Sequence, residues 1–521
     1  MKTSDGVRRR VVGVGIAAAL AILAAAPQAA ADTPFALFFA EHYSRGNDLY
    51  ITNGTPAGTR QLFDVAPSAT GSKEVDGVVV RLGEITLLVV RSANDSARLR
   101  PGAYVVGPEG ASPNLFGSTT RRAWEVMPLQ VADGRLLMAV GLESGQFLYE
   151  TDGTPEGTRR LSTQHVDGII DAFPFGDRTL LLANEYIQDR KGTYGRLYAV
   201  DPISGGLEWL YNFSPDGGMV LADPAHDGAP VVPVAVVGSE RNRFVFWRSH
   251  PRFGREPWVS DGTQAGTRLL RDIGKRNADG FGGSWNFLPF GDKALFIGLT
   301  DKTGAEPWIT DGTPEGTFEL KDIYPGVHSS EVRFDQTAVL DDKLYFLASS
   351  GPSDRTLWES DGTAAGTRRI DMQVKRDKVF AMSNGPRALA LVGQKIFFEG
   401  TRISGACPGS DGTCTYEAAL YSYHPRKGKV ALQAQTSTYA CWFSNAYVTA
   451  LYKGGSYQSL LPLGDGLVFA ATGQRGAKRP PACGAPLDME PWTWSPAGGA
   501  SQLKQINPGK EPSNVEFIGG G

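Results

Sequence analysis

Apolar positions along the chain fall into short runs that repeat about every 50 residues. Lys293–Gly298 and Lys343–Ala348 are largely apolar, and each precedes an aromatic-rich run that ends in Asp-Gly. A shorter apolar run comes before, as in Trp285–Leu288, and another follows, as in Phe318–Ile323. Aromatic and β-branched runs favour strands, and Asp-Gly favours a hairpin turn because both residues tolerate positive φ. The pattern therefore predicts four short antiparallel strands in each repeat.

The Asp-Gly turn belongs to a longer motif that is present in five clear copies. Asp261, Asp311 and Asp361 follow one another at intervals of 50 residues. Four strands in about 50 residues are typical of one blade of a β-propeller. The copies are Leu49–Thr59, Leu148–Thr158, Glu256–Thr267, Glu306–Thr317 and Leu357–Thr367.

Four degenerate copies keep the strand and the turn but lack the Asp-Gly-Thr signature. They are Ala103–Gly110, Leu197–Pro202, Leu420–Pro425 and Pro491–Pro496. Together with the clear copies they predict an all-β protein, a single β-propeller of nine four-stranded antiparallel blades. Eight is the alternative count, because propellers usually have about 4–8 blades.

The clear copies resemble the ELWxxDGT repeat family of exported bacterial proteins. In each of them an aromatic or apolar pair, the Asp-Gly-Thr or Asn-Gly-Thr turn and a final Gly-Thr stand in register. The resemblance covers most of the chain after its first residues. It implies a repeat β fold in an exported protein, and no particular activity.

The two ends of the repeat region complement each other. Phe35–Phe39 matches the second strand of later units, so the first unit lacks its innermost strand. Asn514–Ile518 matches that missing strand, as Glu331–Phe334 does in a middle unit. Because an open ring leaves unpaired strand edges, we expect one blade to be built from both termini.

The first residues have the layout of a secretory signal. Arg8–Arg10 is followed by an apolar stretch and by Ala29–Ala31, which predicts cleavage before Asp32. We therefore assign residues 1–31 to a signal peptide and residues 32–521 to the propeller. The protein is expected to be secreted, periplasmic or on the cell surface, without a membrane span and as a monomer. The scattered charges and the net charge of -3 argue against a nucleic-acid partner.

Four cysteines are confined to one part of the chain, near insertions at 402–416 and 474–488. An exported protein is expected to form disulfides, and four cysteines allow three pairings. We favour Cys407–Cys414 and Cys441–Cys483, because the first pair closes a short loop. No CxxC spacing accompanies them, so no metal site is predicted.

The repeated acidic groups are the main candidates for chemistry. We interpret the turn residues as structural, with each side chain accepting hydrogen bonds from its own turn. Calcium bound by these turns is the alternative, and no other cofactor is predicted. The turn residues are Asn53, Asp152, Asp261, Asp311 and Asp361.

Three glutamates stand in equivalent positions, at Glu256, Glu306 and Glu490, each followed by Pro-Trp. They predict either a ring of carboxylates for a cation or basic partner, or pairing within each blade, which repetition favours. The tryptophans are predicted to pack between blades.

One unit resembles the tryptophan-docking motif of pyrroloquinoline-quinone dehydrogenases, at Ala199, Asp201, Gly205 and Trp209. In that family the motif locks blades together and recurs around the ring. Here it occurs once, so we interpret it as blade packing.

The functional prediction follows from the absence of recognisable catalytic motifs. The sequence has no GxSxG, HExxH or P-loop, so the catalytic residues are unknown. The leading interpretation is a non-enzymatic binding or scaffold module with a protein or carbohydrate ligand on one loop face. The alternative is a propeller enzyme, such as a carbohydrate-active hydrolase or lyase, or a quinone-dependent oxidoreductase. Acidic residues of perturbed pKa in the central funnel would favour the enzyme.

Overall fold

The structure is a computed structural model of the full chain and is described here for the following residues. They are 34–42, 46–65, 75–93, 99–117, 123–187, 192–213, 220–221, 232–274, 278–280, 282, 286–334, 337–351, 355–374, 377–381, 389–404, 413–442, 457–472, 489–506 and 515–520. The signal peptide predicted for residues 1–31 lies outside this part.

Nine antiparallel sheets follow one another along the described chain, and each is one blade. Blade 1 contains β1 Ala36–His42, β2 Gly46–Thr52 and β3 Arg60–Asp64. Blade 2 contains β4 Val75–Leu82, β5 Ile85–Ala93, β6 Gly102–Gly107 and β7 Gly110–Ala111. Blade 3 contains β8 Glu125–Ala132, β9 Arg135–Leu142, β10 Gly145–Thr151 and β11 Arg159–Arg160. Blade 4 contains β12 Gly168–Phe175, β13 Arg178–Ile187, β14 Gly192–Val200 and β15 Leu207–Asn212. Blade 5 contains β16 Val220–Leu221, β17 Ala235–Val237, β18 Arg243–His250, β19 Gly254–Ser260 and β20 Arg268–Leu269. Blade 6 contains β21 Leu288–Phe290, β22 Lys293–Thr300, β23 Gly304–Thr310 and β24 Phe318–Glu319.

Blades 7 to 9 complete the ring. Blade 7 contains β25 Thr337–Leu340, β26 Lys343–Ser349, β27 Arg355–Ser360 and β28 Arg368–Arg369. Blade 8 contains β29 Gln373–Val374, β30 Asp377–Ala381, β31 Leu389–Val392, β32 Lys395–Ser404, β33 Thr413–His424 and β34 Lys429–Trp442. Blade 9 contains β35 Tyr457–Leu463, β36 Gly466–Thr472, β37 Met489–Ser495 and β38 Gly499–Gln502, and the last strand, β39 Glu516–Gly520, belongs to blade 1. A 3₁₀ helix, Pro425–Lys427, joins β33 to β34. The prediction of a nine-bladed propeller is confirmed.

Two blades depart from the regular four strands because their innermost strand is interrupted. In blade 5, β16 and β17 pair with different parts of β18. In blade 8, β30 and β31 both pair with β32, and β29 adds a short edge pair to β30. The other blades keep one inner strand, which contacts the inner strand of a neighbouring blade, as β8 contacts β12 and β35 contacts β39.

Ring closure takes place in blade 1, as predicted. β39 pairs antiparallel with β1, with Phe517 opposite Phe38, and so supplies the inner strand that the first unit lacks. The rings of these two residues lie 4.9 Å apart between centroids. One blade is thus built from both ends of the chain.

The hydrophobic core is divided among the boundaries between blades. Within the described residues there are nine buried apolar clusters, and each is shared by two adjacent blades, including blades 9 and 1. Trp308, for example, packs in the cluster between blades 5 and 6. The tryptophans of the repeat therefore pack between blades, as expected of large aromatic side chains.

Some predicted strand bounds are wrong. The inner strand of blade 7 is β25, not Glu331–Phe334, because Glu331 has a left-handed φ of 54° that interrupts an extended run. The inner strand of blade 6 begins at Leu288, where we predicted that it ends. The fourth strand predicted over Phe318–Ile323 is only two residues long, since Leu320 and Ile323 turn into the core instead.

The two faces of the ring differ in the connections that they carry. The first strand turns into the second, and the third into the fourth, on one side, which we call the turn face. Inner strands begin on the other side, which we call the start face. None of the described residues forms a helix long and apolar enough to cross a membrane.

Candidate functional site

Each repeated turn residue is engaged by its own turn on the turn face. Asp261 Oδ1 accepts hydrogen bonds from the Thr263 amide at 2.9 Å and the Thr263 hydroxyl at 2.7 Å. The Gly266 amide donates to Thr263 Oγ1 at 2.9 Å, which closes the loop. The same bonds recur at Asn53, Asp152, Asp311 and Asp361.

These bonds also set the charge of the turns. The Thr154 and Thr363 hydrogen bonds lower the pKa values of Asp152 and Asp361 below the usual range. No group of three or more potential metal ligands is found in the described part of the chain. The lowered pKa favours the ionised form of Asp152 and Asp361 as turn caps, and calcium binding by the turns stays the untested alternative.

The first glycine of the turn packs against the preceding blade. Gly312 has a φ of 83°, and a methyl group placed on it would lie 2.8 Å from Val237 of blade 5. The equivalent positions are filled in the same way at the other boundaries, with Phe175 beneath Gly262 and Phe290 beneath Gly362. Only glycine combines this left-handed backbone with so close an approach. The turn therefore fills the gap between two blades on the turn face.

The equivalent glutamates bind the backbone rather than forming an open carboxylate ring. Glu306 is fully buried and accepts the Ile323 and Tyr324 amides at 3.1 and 3.3 Å. Glu256 accepts the amides 17 and 18 residues further along in the same way, and Glu490 accepts the Ile506 amide. Burial raises the pKa of Glu256 to about 8 and that of Glu306 to about 7. These glutamates anchor the connection to the next blade.

The cysteine-bearing region is described in part. Cys407 and Cys483 lie outside the described residues, as do most of the two predicted insertions. Cys414 and Cys441 lie on β33 and β34, where the backbone register places them directly opposite each other. The pairing of Cys407 with Cys414 and of Cys441 with Cys483 is untested by the described residues, and this register favours the alternative pairing that joins Cys414 to Cys441.

The motif that resembles the quinone dehydrogenases forms an ordinary turn of blade 4. Asp201 Oδ1 accepts the amides of Ile203 and Ser204 at 2.9 and 2.6 Å. Trp209 is 55% exposed and donates from its indole nitrogen to Asn212 within the same strand. Gly205 approaches the backbone of Leu161 in blade 3, so the turn contributes to blade packing.

A cluster of ionisable groups lies on the start face, between blades 2 and 3. Arg91 Nη2 on β5 forms an ion pair with Asp76 Oδ1 on β4 at 2.8 Å. Glu125 begins β8, the neighbouring inner strand, and the positive charge of Arg91 acts on it as well. Gln146 Nε2 donates to Glu125 Oε2 at 3.4 Å and is itself held by the Ile169 amide at 2.6 Å.

The two carboxyl groups of this cluster have different surroundings. Partial burial raises the pKa of Glu125, against the smaller lowering effects of Gln146 and Arg91. Asp76 instead has the Arg91 guanidinium within hydrogen-bond distance. One carboxyl group is therefore biased towards its protonated form beside another that is ion-paired. This difference is typical of acid and base pairs in enzymes.

Exposed aromatic residues border the same face. Trp124 immediately precedes Glu125, is 55% exposed and lies against Gly141. Tyr186 on β13 of the next blade is 56% exposed, and its amide donates to Asp167 Oδ2. Large exposed aromatic side chains beside carboxylates suit the apolar faces and hydroxyl groups of sugars.

A second buried carboxyl group lies on an inner strand, at Asp171. It is 1% exposed and accepts Gln130 Nε2 of blade 3 at 2.8 Å and the amide of Ala172 at 2.9 Å. The Val234 backbone of blade 5 is a further hydrogen-bond partner. Burial raises the pKa of Asp171 to about 7. Asp171 is buried inside the ring, and its hydrogen bonds connect blade 4 to blades 3 and 5.

Comparison with known proteins finds no family and only distant structural similarity. No protein-family model matches the sequence, so the resemblance to the ELWxxDGT repeat family stays a prediction. No curated protein matches it either. Similar solved structures include a puromycin hydrolase, at 16% identity and a TM-score of 0.35 over 80% of this chain and 61% of that one. An acylaminoacyl peptidase of Pyrococcus horikoshii is similar at 12% identity and a TM-score of 0.34, over 76% and 58%.

A third similar structure is an oligogalacturonate lyase in complex with manganese, at 11% identity and a TM-score of 0.34 over 76% of this chain and 93% of that one. The chain spans about three fifths of the length of the hydrolase and the peptidase. At such low identity these likenesses show the fold alone.

The expectation of a non-enzymatic binding or scaffold module does not agree with this comparison, in which the similar propellers belong to hydrolases, peptidases and a lyase. The residues of this chain must indicate which chemistry it supports.

Sequence reasoning missed the start-face cluster. Asp76, Arg91 and Glu125 are separated by 15 and 34 residues and lie on three strands of two blades. Asp76 and Arg91 lie on neighbouring strands of one hairpin in blade 2. Glu125 joins them only because the ring places blade 3 beside blade 2.

Proposed function

We propose that the protein is a carbohydrate-active enzyme that cleaves glycosidic bonds, with its active site on the start face between blades 2 and 3. The observation that carries this proposal is the pair of unlike carboxyl groups beside Arg91. Glycoside cleavage needs a proton donor for the leaving oxygen and a second carboxylate on the other side of the bond. Glu125 and Asp76 are assigned these two roles.

Each residue of the cluster has a chemical task in this proposal. Partial burial raises the pKa of Glu125, which favours the protonated form that donates to the glycosidic oxygen. Asp76 acts as the base or nucleophile, and Arg91 forms an ion pair with it at 2.8 Å until substrate enters. Gln146 positions Glu125, since its own carbonyl is fixed by the Ile169 amide. Trp124 offers a face on which a sugar ring can stack.

A lyase is the second form of the same proposal, and Arg91 favours it. A guanidinium group can neutralise the carboxylate of a uronic acid, which makes the neighbouring proton easier to remove. A hydrolase yields saturated products from neutral and acidic glycans, whereas a lyase yields unsaturated products from uronates only. No comparable observation favours quinone chemistry, since the docking-like motif forms a turn of blade 4.

The test is activity on a panel of neutral and uronic-acid polysaccharides, with release of reducing ends and of unsaturated products measured separately. Glu125→Gln should lower kcat/KM at least 100-fold, because removal of a general acid typically costs about 10²–10⁴ in rate. Glu143→Gln changes an exposed glutamate of the same blade and should leave the rate unchanged. Equal loss in both variants, or none in Glu125→Gln, would refute the assignment.

Activity should also decrease at high pH. Because Glu125 must be protonated and its pKa is raised, the rate should hold through mildly acidic pH and fall as pH rises past that pKa. In Gln146→Ala the donor to Glu125 is lost, and we expect the falling limb to move while the protein stays folded. An unmoved limb with lower kcat would assign Gln146 to substrate binding instead.

Export and assembly complete the proposal. We infer that residues 1–31 direct the protein out of the cytoplasm, as the charged, apolar and small-residue layout suggests. The mature protein would then act on glycans in the periplasm, at the cell surface or in the medium, as a monomer. N-terminal sequencing of exported protein should begin near Asp32, and a mature protein that retains Met1 would contradict this.

A further inference from the structure

A cleft of about 530 Å³ lies on the turn face between blades 8 and 9. Its floor is apolar, with the rings of Phe397 and Trp494 packed at 4.7 Å between centroids. Charged groups stand at the rim, with Lys395 from the tip of the blade 8 inner hairpin and Asp465 from that of blade 9. The cleft is far from the start-face cluster, because the two faces are opposite ends of the strands.

Other boundaries of the ring show what normally fills this position. At five of them, the first glycine of the Asp-Gly-Thr or Asn-Gly-Thr turn packs against the inner hairpin or third strand of the preceding blade. A methyl group on these glycines would lie 2.8–3.4 Å from that blade. The glycines are Gly54, Gly153, Gly262, Gly312 and Gly362. A polypeptide turn is therefore the natural occupant of the gap.

Blade 9 does not supply such a turn. In blade 7 the pairing of the third and fourth strands stops at Glu359 and Arg368, and the residues between them form the wide loop. In blade 9 the pairing continues to Ser495 and Gly499, so the hairpin stays narrow. No atom lies within 4 Å of a methyl group placed on Gly499. The gap against blade 8 is left open.

One polar atom in the cleft is unsatisfied. Nδ1 of His424 is buried and has no hydrogen-bond partner in the described part of the chain. A buried polar atom without a partner costs about 1–3 kcal/mol, which a ligand carrying a backbone N–H or C=O group would recover. The adjacent boundary between blades 7 and 8 is closed differently, by an ion pair of Arg426 with Asp341 at 3.2 Å.

We propose that this cleft binds a glycine-containing turn of a partner polypeptide, which takes the place that an Asp-Gly-Thr turn occupies elsewhere in the ring. The glycine would lie over Val392, the residue that corresponds to Phe290 and Leu463 at the ends of the other inner strands. After a rotation of the half-buried His424 ring, a backbone group of the turn would pair with Nδ1, and Lys395 would bind its acidic residue. This site is independent of the proposed catalytic function.

The probe is a cyclised peptide with the sequence of Leu357–Ile370, which contains one complete turn of this chain. Binding to the full protein is measured by calorimetry, together with a peptide carrying Gly362→Ala. We expect the first peptide to bind and the second to bind at least 5-fold more weakly. His424→Ala in the protein should weaken binding by a similar factor, whereas Lys427→Ala, an exposed change on the neighbouring 3₁₀ helix, should not.

A loop graft provides the second test. Replacing Ser495–Ala500 by the sequence of Asp361–Thr367, which keeps Trp494 in the floor, should close the cleft from within, abolish peptide binding and raise the melting temperature. Equal affinity of the two peptides, unchanged binding in the graft, or no binding at millimolar peptide would overturn the proposal. So would binding of neutral oligosaccharides in the cleft without binding of the peptide.

Discussion

Asp171 gives a prediction that links protonation to the stability of the ring. The side chain joins Gln130 of blade 3 to the backbone of blade 5 and is 1% exposed. Asp171→Asn keeps the size of the side chain and an acceptor for the Ala172 amide, but it cannot ionise. Gln130 can turn its amide to present oxygen to the new NH₂ group. We therefore expect the variant to fold and to lose the part of the pH dependence of its unfolding free energy that Asp171 contributes.

The size and sign of this effect follow from the pKa of Asp171. Its value rises from 3.8 to about 7 on folding because burial disfavours the charge. One pKa unit corresponds to about 1.36 kcal/mol, so the linkage is worth at most about 4 kcal/mol. The folded state binds the proton more tightly, so this stability is fully present below about pH 4 and is lost as pH rises through about 7.

The assay is denaturant unfolding of the wild-type protein and Asp171→Asn at several pH values between 4.5 and 8.5. Wild-type stability should fall more steeply with pH than that of the variant, and the two curves should differ by about 2–4 kcal/mol across this range. Glu256 and Glu306 shift in the same direction in both proteins, so the difference isolates Asp171. Asp177→Asn, an exposed change at the end of the same strand pair, is the control. Parallel wild-type and Asp171→Asn curves would refute the reasoning.

Three further predictions concern the architecture. Gly312→Ala should destabilise the protein by about 1–3 kcal/mol more than Gly326→Ala in thermal or denaturant unfolding, because both glycines have left-handed φ but only the first approaches another blade. Equal losses would show that the turn glycine does not fill the gap between blades. Deleting Ser513–Gly521 removes β39, so the melting temperature should fall and light scattering should show aggregation, while unchanged melting would mean that the ring closes another way. Non-reducing peptide mapping should link Cys414 to Cys441. Directly opposed strand residues have Cα atoms about 4.5–5.5 Å apart, which is a distance that a disulfide can span. A peptide joining Cys407 to Cys414 would instead support the pairing favoured by the sequence.

Much of the fold could be predicted because each blade encodes itself locally. The Asp-Gly-Thr turn is specified by hydrogen bonds within a few residues, so it leaves a fixed sequence pattern wherever it forms. The four degenerate units could still be counted because the aromatic third strand is kept. Bounds of the inner strands were less predictable. The sequence predicts a strand over Glu331–Phe334, yet Val332 and Phe334 pack into the core from a connecting segment.

The candidate site could not be predicted as a whole, because only Asp76 and Arg91 belong to one hairpin. Glu125 meets Arg91 only through the packing of adjacent blades. Asp171 gave a weak signal, as a single acidic residue within the apolar run Gly168–Phe175. Nothing in that run indicates Gln130 or Val234 as partners. Such contacts depend on ring curvature, which no single repeat encodes.

The blade built from both ends of the chain has a consequence for the order of folding. Phe38 and Phe517 are partners in β1 and β39 but are 479 positions apart in sequence. Bringing such distant segments together costs about 5 kcal/mol of loop-closure entropy if the intervening chain is flexible. Once the other blades have folded, the two ends are already neighbours and most of this cost has been met. Closure should therefore be the final step, and a slow refolding phase should report on it.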